Sequence, residues 1–273
     1  MIATVRDLAK RVALTTLPDA ALKPLRRRYY ARMLRLGKAQ LEVDVSLVQR
    51  FVRPGDCVVD IGASIGVYTK LLSERVGPGG LVYGVEPVPV TFDVLCSNVR
   101  RLGLANVRPI ACAISDQDGW LAMEVPLRPS GWEDFYRAQV VGTAGTATRR
   151  RVRVGSRTID SLWAESDRPL AFIKCDVEGH ELACVRGAER VVARWAPAWL
   201  VEITGDPDVP GSAARATCEV LARLGYGTFW FDGDRLRRRA PGDTSLNYWF
   251  LTREQADRLC GEGVIREAKE ALS

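Results

Sequence analysis

Val58-Val-Asp-Ile-Gly-Ala-Ser-Ile-Gly-Val-Tyr-Thr69, with Glu86 twenty-four positions beyond Gly62, decides the fold. The apolar run Cys57–Ile61 has the length and β-branched content of a buried parallel strand. It stops at a glycine turn, and residues 67–76 read as an amphipathic helix. Gly62 and Gly66 permit the sharp turn and let a ligand lie against the main chain of Ala63 and Ser64. A second apolar strand, 81–86, delivers Glu86 to its carboxyl end. In doubly wound sheets an acid about 20 residues beyond the turn accepts hydrogen bonds from a ribose hydroxyl pair. The unit therefore reads as a site for an adenosine-type nucleotide.

The glycine spacing selects among nucleotides. A dinucleotide fingerprint needs glycine at 62, 64 and 67, where this chain has Gly62, Ser64 and Val67. Without the third glycine the helix start is less suited to a pyrophosphate. Asp60, just ahead of the turn, repels a pyrophosphate and suits a sulfonium cofactor with a charged amino group. S-adenosylmethionine is favoured over NAD.

Composition sets the outer bounds. A chain of 273 residues with 47% apolar and 26% charged content is that of a soluble α/β enzyme with one large core. No run approaches the roughly 18 apolar residues of a membrane span. Arg6, Asp7 and Lys10 stand where a secretory leader would be apolar. The seven cysteines lack metal-ligand spacing and fit small core residues in a reducing cytoplasm. Net charge is +6, with basic clusters at Arg26–Arg28 and Arg149–Arg153. Neither is interleaved with aromatics as an RNA-binding surface is, so the expected partner is a small molecule and not nucleic acid. A homodimer is compatible with this composition.

Residues 1–50 read as an N-terminal helical cap, with helices over 2–14 and 20–36. Residues 51–273 alternate strand and helix. Strands are expected at 107–113, 171–177 and 199–203. Helices are expected over 89–103, 180–194, 212–224 and 253–272, and 226–231 with 248–251 make a final antiparallel pair. Residues 121–125 and 151–155 read as peripheral strands. Between them, 126–150 is long and aperiodic and reads as a lid. Its Trp132, Phe135 and Tyr136 are candidate covers, with Trp132 and Tyr136 touching the acceptor. The fold class is α/β, a doubly wound Rossmann-like sheet with an antiparallel final strand.

So arranged, the chain resembles the FkbM family of S-adenosylmethionine-dependent methyltransferases. The resemblance is carried by Asp60–Thr69, Val85-Glu-Pro87 with Asn98-Val99, and Ala113-Ile-Ser-Asp-Gln-Asp-Gly119. It continues through Thr158-Ile-Asp-Ser-Leu162, Ile173-Lys-Cys-Asp-Val-Glu-Gly-His-Glu181, Arg186-Gly-Ala188 and Val201-Glu202. Ser64 stands where the family usually has Asn. The resemblance implies methylation of a hydroxyl on a natural product, sugar or glycolipid. It also places the adenine pocket at Ser115 and Asp116.

Methyl transfer to an alcohol needs the hydroxyl proton removed, by a base, a metal or both. His180, the single histidine, follows a central strand and has a suitable pKa for a base. Gly179 lets the backbone turn its imidazole inward. Asp176 orients either His180 or the acceptor, or takes the cofactor's ammonium. Together with Glu202 at the end of the adjacent strand, it forms an alternative Mg²⁺ site. Glu178 meets the acceptor or complements a helix start. The competing classes are a nucleotide-dependent oxidoreductase, an RNA methyltransferase and a non-catalytic S-adenosylmethionine-binding protein. The glycine spacing disfavours the first. Asp176-Val-Glu-Gly, in place of an Asn-Pro-Pro-Tyr-type turn, disfavours the second. The polar cluster at 176–181 disfavours the third.

Overall fold

The structure, a computed structural model, describes residues 19–37, 43–126, 139–140 and 149–266. The expected helix over 2–14, and Trp132, Phe135 and Tyr136 of the expected lid, lie outside the described residues. The first strands are β1 (Cys57–Ile61), β2 (Leu81–Val85), β3 (Val107–Ile110), β4 (Ala113–Ile114), β5 (Gly119–Pro126), β6 (Gln139–Val140) and β7 (Arg149–Arg157). They are followed by β8 (Leu170–Cys175), β9 (Ala198–Glu202), β10 (Tyr226–Phe231), β11 (Leu236–Arg238), β12 (Asn247–Thr252) and β13 (Ile265–Arg266). Among the described residues, nine of these form one sheet in the order β13-β11-β10-β12-β9-β8-β1-β2-β3. The run from β3 to β9 is parallel, and β12 joins β9 antiparallel. This is the doubly wound arrangement. Its crossover direction reverses between β1 and β8, where such sheets bind ligands.

A parallel sheet must be covered on both faces, and β1 is buried along its whole length. Its side chains alternate between two cores. Cys57, Val59 and Ile61 pack with Ile173, Trp199 and Tyr248 on one face, while Val58 packs with Phe172, Leu200 and Trp249 on the other. Helices Glu181–Arg186 and Ala213–Arg223 close the first face through Cys184, Val185 and Leu221. Helix Val67–Val76 closes the second with Leu72 and Val76, and there the Phe51 ring stacks on Trp249 with centroids 4.7 Å apart.

Helix Asp19–Arg35 lies on helix Pro89–Leu102. Arg27 donates to both carboxylate oxygens of Asp93, through Nε at 2.7 Å and through Nη2, and Lys23 Nζ lies 3.1 Å from the same group. One arginine of the 26–28 cluster thus serves internal docking.

Three expectations are corrected. Residues 107–113 are not one strand: β3 ends at Ile110, and Ala113–Ile114 leaves to pair with Ser156 and Arg157 of β7 in a second sheet, β4-β7-β5-β6. Periodicity cannot tell which of two sheets will capture a short apolar run. The expected helix 180–194 divides into Glu181–Arg186 and Glu189–Trp195 at Gly187. There the backbone presses on Ser115, whose carbonyl oxygen would lie 2.0 Å from an added Cβ. The last helix stops at Gly261, and Gly263, with φ +71°, turns the chain into β13.

The Gly187 contact is testable against a matched control. Gly187→Ala should lower stability by about 2 kcal/mol or more through overpacking. Gly261→Ala, which meets nothing within 4 Å, should raise it by about 0.5 kcal/mol. Urea midpoints of the two variants measure this, and equal midpoints would show that the approach to Ser115 is not a constraint.

Candidate active site

The site begins with two strand ends that meet. β1 and β8 are neighbours, with Ile61 opposite Cys175, and the Asp176 amide donates to the Ile61 carbonyl at 3.1 Å. Gly62 turns with φ +77°, and a Cβ on it would stand 1.8 Å from the Asp176 carbonyl oxygen. Glycine is required here by the neighbouring chain. The amides of Gly62 and Ala63 both donate to the Val85 carbonyl, at 3.0 and 2.9 Å. The Ser64 amide donates to Glu86 Oε2 at 2.9 Å. All three turn amides are engaged by the end of β2. A pyrophosphate would need such amides free and would also face the Glu86 carboxylate, so the NAD alternative loses its anchor.

Above this turn lies a cleft of about 310 Å³, within the usual range for small-molecule sites. Gly62, Ser64, Glu86, Asp176, Glu178, His180 and Glu202 form its polar wall. Cys112, Ala113, Ile114, Met123 and Val140 supply much of the apolar remainder. The sequence pointed to the polar residues, whereas Met123 and Val140 were not singled out.

Glu86 is 5% exposed, and burial raises its carboxyl to about 7 against the Ser64 and Val88 amides that favour its charge. The Val88 amide donates to Oε1 at 2.8 Å. A carboxylate offers about four lone-pair sites, so two remain after these bonds, the number a ribose diol needs. Ser64 Oγ is buried without a hydrogen-bond partner among the described residues. An unsatisfied buried hydroxyl costs free energy and calls for a ligand atom. The backbone is strained at the same place. Three non-glycine described residues have positive φ, and two of them, Ser64 (φ 50°) and Glu178 (φ 53°), line the cleft. Such strain collects at functional positions. These features fit an adenosine-type cofactor.

Asp60 takes a different place from the one expected. As the fourth residue of β1 its side chain falls on the face under helix Val67–Val76, 2% exposed, where Thr69 Oγ1 donates to it at 2.5 Å. It lies beneath the cleft and does not line it. Burial raises its pKa to about 6, opposed by Thr69 and by the attraction of Lys174. Lys174 stands opposite it on β8, with its side chain 1% exposed. The ammonium lies 3.6 Å from Asp176 Oδ2 and 5.1 Å from the Tyr68 ring centroid. The sequence signal for Lys174 was present but unused: a charge inside the apolar strand Ala171-Phe-Ile-Lys-Cys.

His180 precedes helix Glu181–Arg186, and Gly179 before it has φ +100°. Glu181 is 3% exposed and accepts the Gly179 amide at 2.7 Å, so it braces the turn. Burial lowers the imidazole below its ordinary pKa, with Asp116 pulling the other way. His180 Nε2 lies 3.0 Å from Ser115 Oγ. Ser115 is 2% exposed and Asp116 is exposed, and neither lines the cleft. Ala63 and Gly66 are likewise buried outside it, with Gly66 (φ +92°) starting the helix.

Asp176 and Glu202 end adjacent strands and both line the cleft. Among the described residues no three His, Cys, Asp or Glu side chains gather as metal ligands do. With the Lys174 ammonium already against Asp176, this donor set does not fit a resident Mg²⁺. No helix among the described residues is long and apolar enough to cross a membrane.

Comparison with known proteins adds a family. Residues 60–227 match the methyltransferase FkbM domain. Over 68 residues, a quarter of each chain, this protein is 43% identical to the 31-O-demethyl-FK506 methyltransferase FkbM of Streptomyces tacrolimicus. Over 103 residues, 36% of this chain and 39% of the relative, it is 31% identical to a protein-L-isoaspartate O-methyltransferase of Aeropyrum pernix. The matches thus span from a quarter to two fifths of these relatives' lengths. A solved methyltransferase FkbM from Methylobacillus flagellatus aligns over 90% of this chain and 59% of its own, at 17% identity and a TM-score of 0.44. The domain match covers more than half of the sequence and contains the glycine turn, Glu86 and the 176–181 segment. The chain belongs to the FkbM family of S-adenosylmethionine-dependent methyltransferases.

Proposed function

We propose that this chain transfers a methyl group from S-adenosylmethionine to a hydroxyl of a small acceptor, such as a natural product, a sugar or a glycolipid. The observation that carries this reading is the presence of Glu86 and His180 in one cleft of about 310 Å³. The Streptomyces tacrolimicus relative acts on 31-O-demethyl-FK506, and the Aeropyrum pernix relative is an O-methyltransferase. Both support oxygen as the acceptor atom.

S-adenosylmethionine, when bound, supplies an electrophilic methyl on a sulfonium. Glu86 accepts the ribose hydroxyls with its two remaining lone-pair sites, and Ser64 Oγ gains a partner. Asp176, held by Lys174, keeps a carboxylate at the cleft for the cofactor's ammonium or the acceptor. His180 takes the acceptor's hydroxyl proton as the O–CH₃ bond forms, and later releases it to solvent. Burial keeps its imidazole neutral and ready to accept that proton near neutral pH. The apolar wall excludes water, which would otherwise compete for the methyl group.

We also assign 126–150 as the acceptor-side cover. β5 and β7 enter and leave that stretch, and Met123 and Val140 line the cleft on either side of its first half. Trp132 and Tyr136 are its proposed contacts.

Two tests follow. Glu86→Gln should weaken S-adenosylhomocysteine binding about 10- to 100-fold, the worth of a charged hydrogen bond. The wild type should also lose affinity from about pH 8 to about pH 6, as the carboxyl near 7 protonates. Deprotonation exposes the acceptor form, so affinity rises with pH, and the glutamine variant should be nearly flat. Calorimetry reads both; unchanged affinity in the variant would remove Glu86 from the cofactor site.

His180→Ala should lower turnover by about 10²–10⁴ while S-adenosylhomocysteine affinity stays within about twofold. EDTA should leave turnover intact. Complete inhibition by EDTA with rescue by Mg²⁺ would transfer the proton-removing role to a metal on Asp176 and Glu202.

A further inference from the structure

Ser115 is locked by the backbone around it. Its amide donates to the Arg157 carbonyl at 3.0 Å, and its carbonyl oxygen rests against Gly187. The helix that His180 introduces is tied to the same strand end, because Cys184 Sγ donates to the Ile114 carbonyl at 3.3 Å. The hydroxyl of Ser115 therefore meets the imidazole at a fixed point, out of solvent. Among the described residues it has two contacts, Asp116 Oδ1 at 3.2 Å and His180 Nε2 at 3.0 Å.

A hydroxyl carries one proton and a carboxylate only accepts. The Ser115 proton goes to Asp116, and the remaining contact is satisfied only if Nε2 carries a hydrogen and donates to Oγ. The geometry points to Ser115 as the positioning residue that fixes the tautomer of His180, with hydrogen on Nε2 and the lone pair on Nδ1. Nδ1 is then the atom that accepts the acceptor's proton. When it does so, the imidazolium keeps its Nε2–H bond to Ser115, whose other partner is the Asp116 carboxylate. This last consequence rests on the proposed base role of His180, whereas the tautomer does not. It also gives Ser115 a role different from the adenine contact implied by resemblance.

His180 is the one histidine of the chain, so tag-free ¹⁵N-labelled protein yields a single imidazole in a long-range ¹H–¹⁵N correlation. At about pH 8 the ring is neutral. The wild type should show Nε2 protonated, Nδ1 unprotonated, and a slowly exchanging Nε2 hydrogen. Ser115→Ala should give averaged nitrogen shifts and lose that hydrogen signal, and Ser115→Thr should restore both. Turnover of Ser115→Ala should fall about 3- to 10-fold, the worth of one hydrogen bond, with S-adenosylhomocysteine affinity unchanged. A wild type protonated on Nδ1, or an alanine variant with the wild-type spectrum, would overturn the assignment. Weakened S-adenosylhomocysteine binding in that variant would also overturn it, by placing Ser115 on the cofactor. The wild-type spectrum decides even if the alanine variant fails to fold. A fully active His180→Ala enzyme beside the expected spectrum would retire the base and leave the tautomer assignment supported.

Discussion

The site depends on one close approach, the Asp176 carbonyl against Gly62. With a Cβ only 1.8 Å from that oxygen, any other residue would push β1 and β8 apart at their carboxyl ends. Their contact brings Ser64 and Glu86, on the β1–β2 side, into one cleft with Asp176, Glu178 and His180, on the β8 side. The same turn is fastened from the other flank by the Val85 carbonyl and the Glu86 carboxylate. The loop is held by three strand ends before any ligand arrives, so the cofactor has little ordering entropy to overcome.

That arrangement concentrates negative charge. Glu86, Asp176, Glu178 and Glu202 line the cleft and Asp60 lies beneath it, in a chain whose net charge is +6. Like charges gathered in a cleft of low effective dielectric repel. The fold answers in two ways. Burial raises Asp60 to about 6 and Glu86 to about 7, and Lys174 places an ammonium 3.6 Å from Asp176 Oδ2 that also attracts Asp60. Removing one partner from such a buried set typically costs about 3–5 kcal/mol. A cationic ligand relieves the remaining repulsion and a phosphate worsens it. A sulfonium bearing an ammonium therefore suits the wall as a whole.

Local patterns were the legible part. The strand, glycine turn, helix and Glu86 all sit within thirty residues of one another, and periodicity with glycine spacing was enough to place them. The antiparallel β12 could be read for the same reason. What escaped was the facing of Asp60 and whatever contacts between distant segments decide. Asp60 faces away from the cleft because alternation along β1 assigns its face, which nothing in the turn motif reveals. Gly187 breaks a helix because Ser115, 72 positions earlier, needs the space. Ser115 and His180 are 65 positions apart, and their contact exists only because β4 leaves the main sheet for β7.

The second sheet changes how the cleft divides its work. Met123, Val88 and Ala113 belong to a small core with Val125 and Val154, separate from the two cores of the main sheet. Met123, Val88 and Ala113 also line the cleft. The polar wall is anchored in the nine-stranded sheet, while the apolar wall is shared between a core of that sheet, which holds Cys112 and Ile114, and this smaller unit. Changes at Met123 or Val140 can therefore reshape part of the apolar wall without touching the Gly62–Asp176 contact or the groups that bond Glu86 and His180. On the proposed reading, cofactor chemistry is fixed by the part of the fold least able to move. On the same reading, acceptor choice falls to the lining residues that the smaller sheet supplies. A short core can be repacked at the cost of a few buried methylenes, whereas Gly62 admits no alternative. One frame can thus keep a single methyl donor while its acceptors diverge.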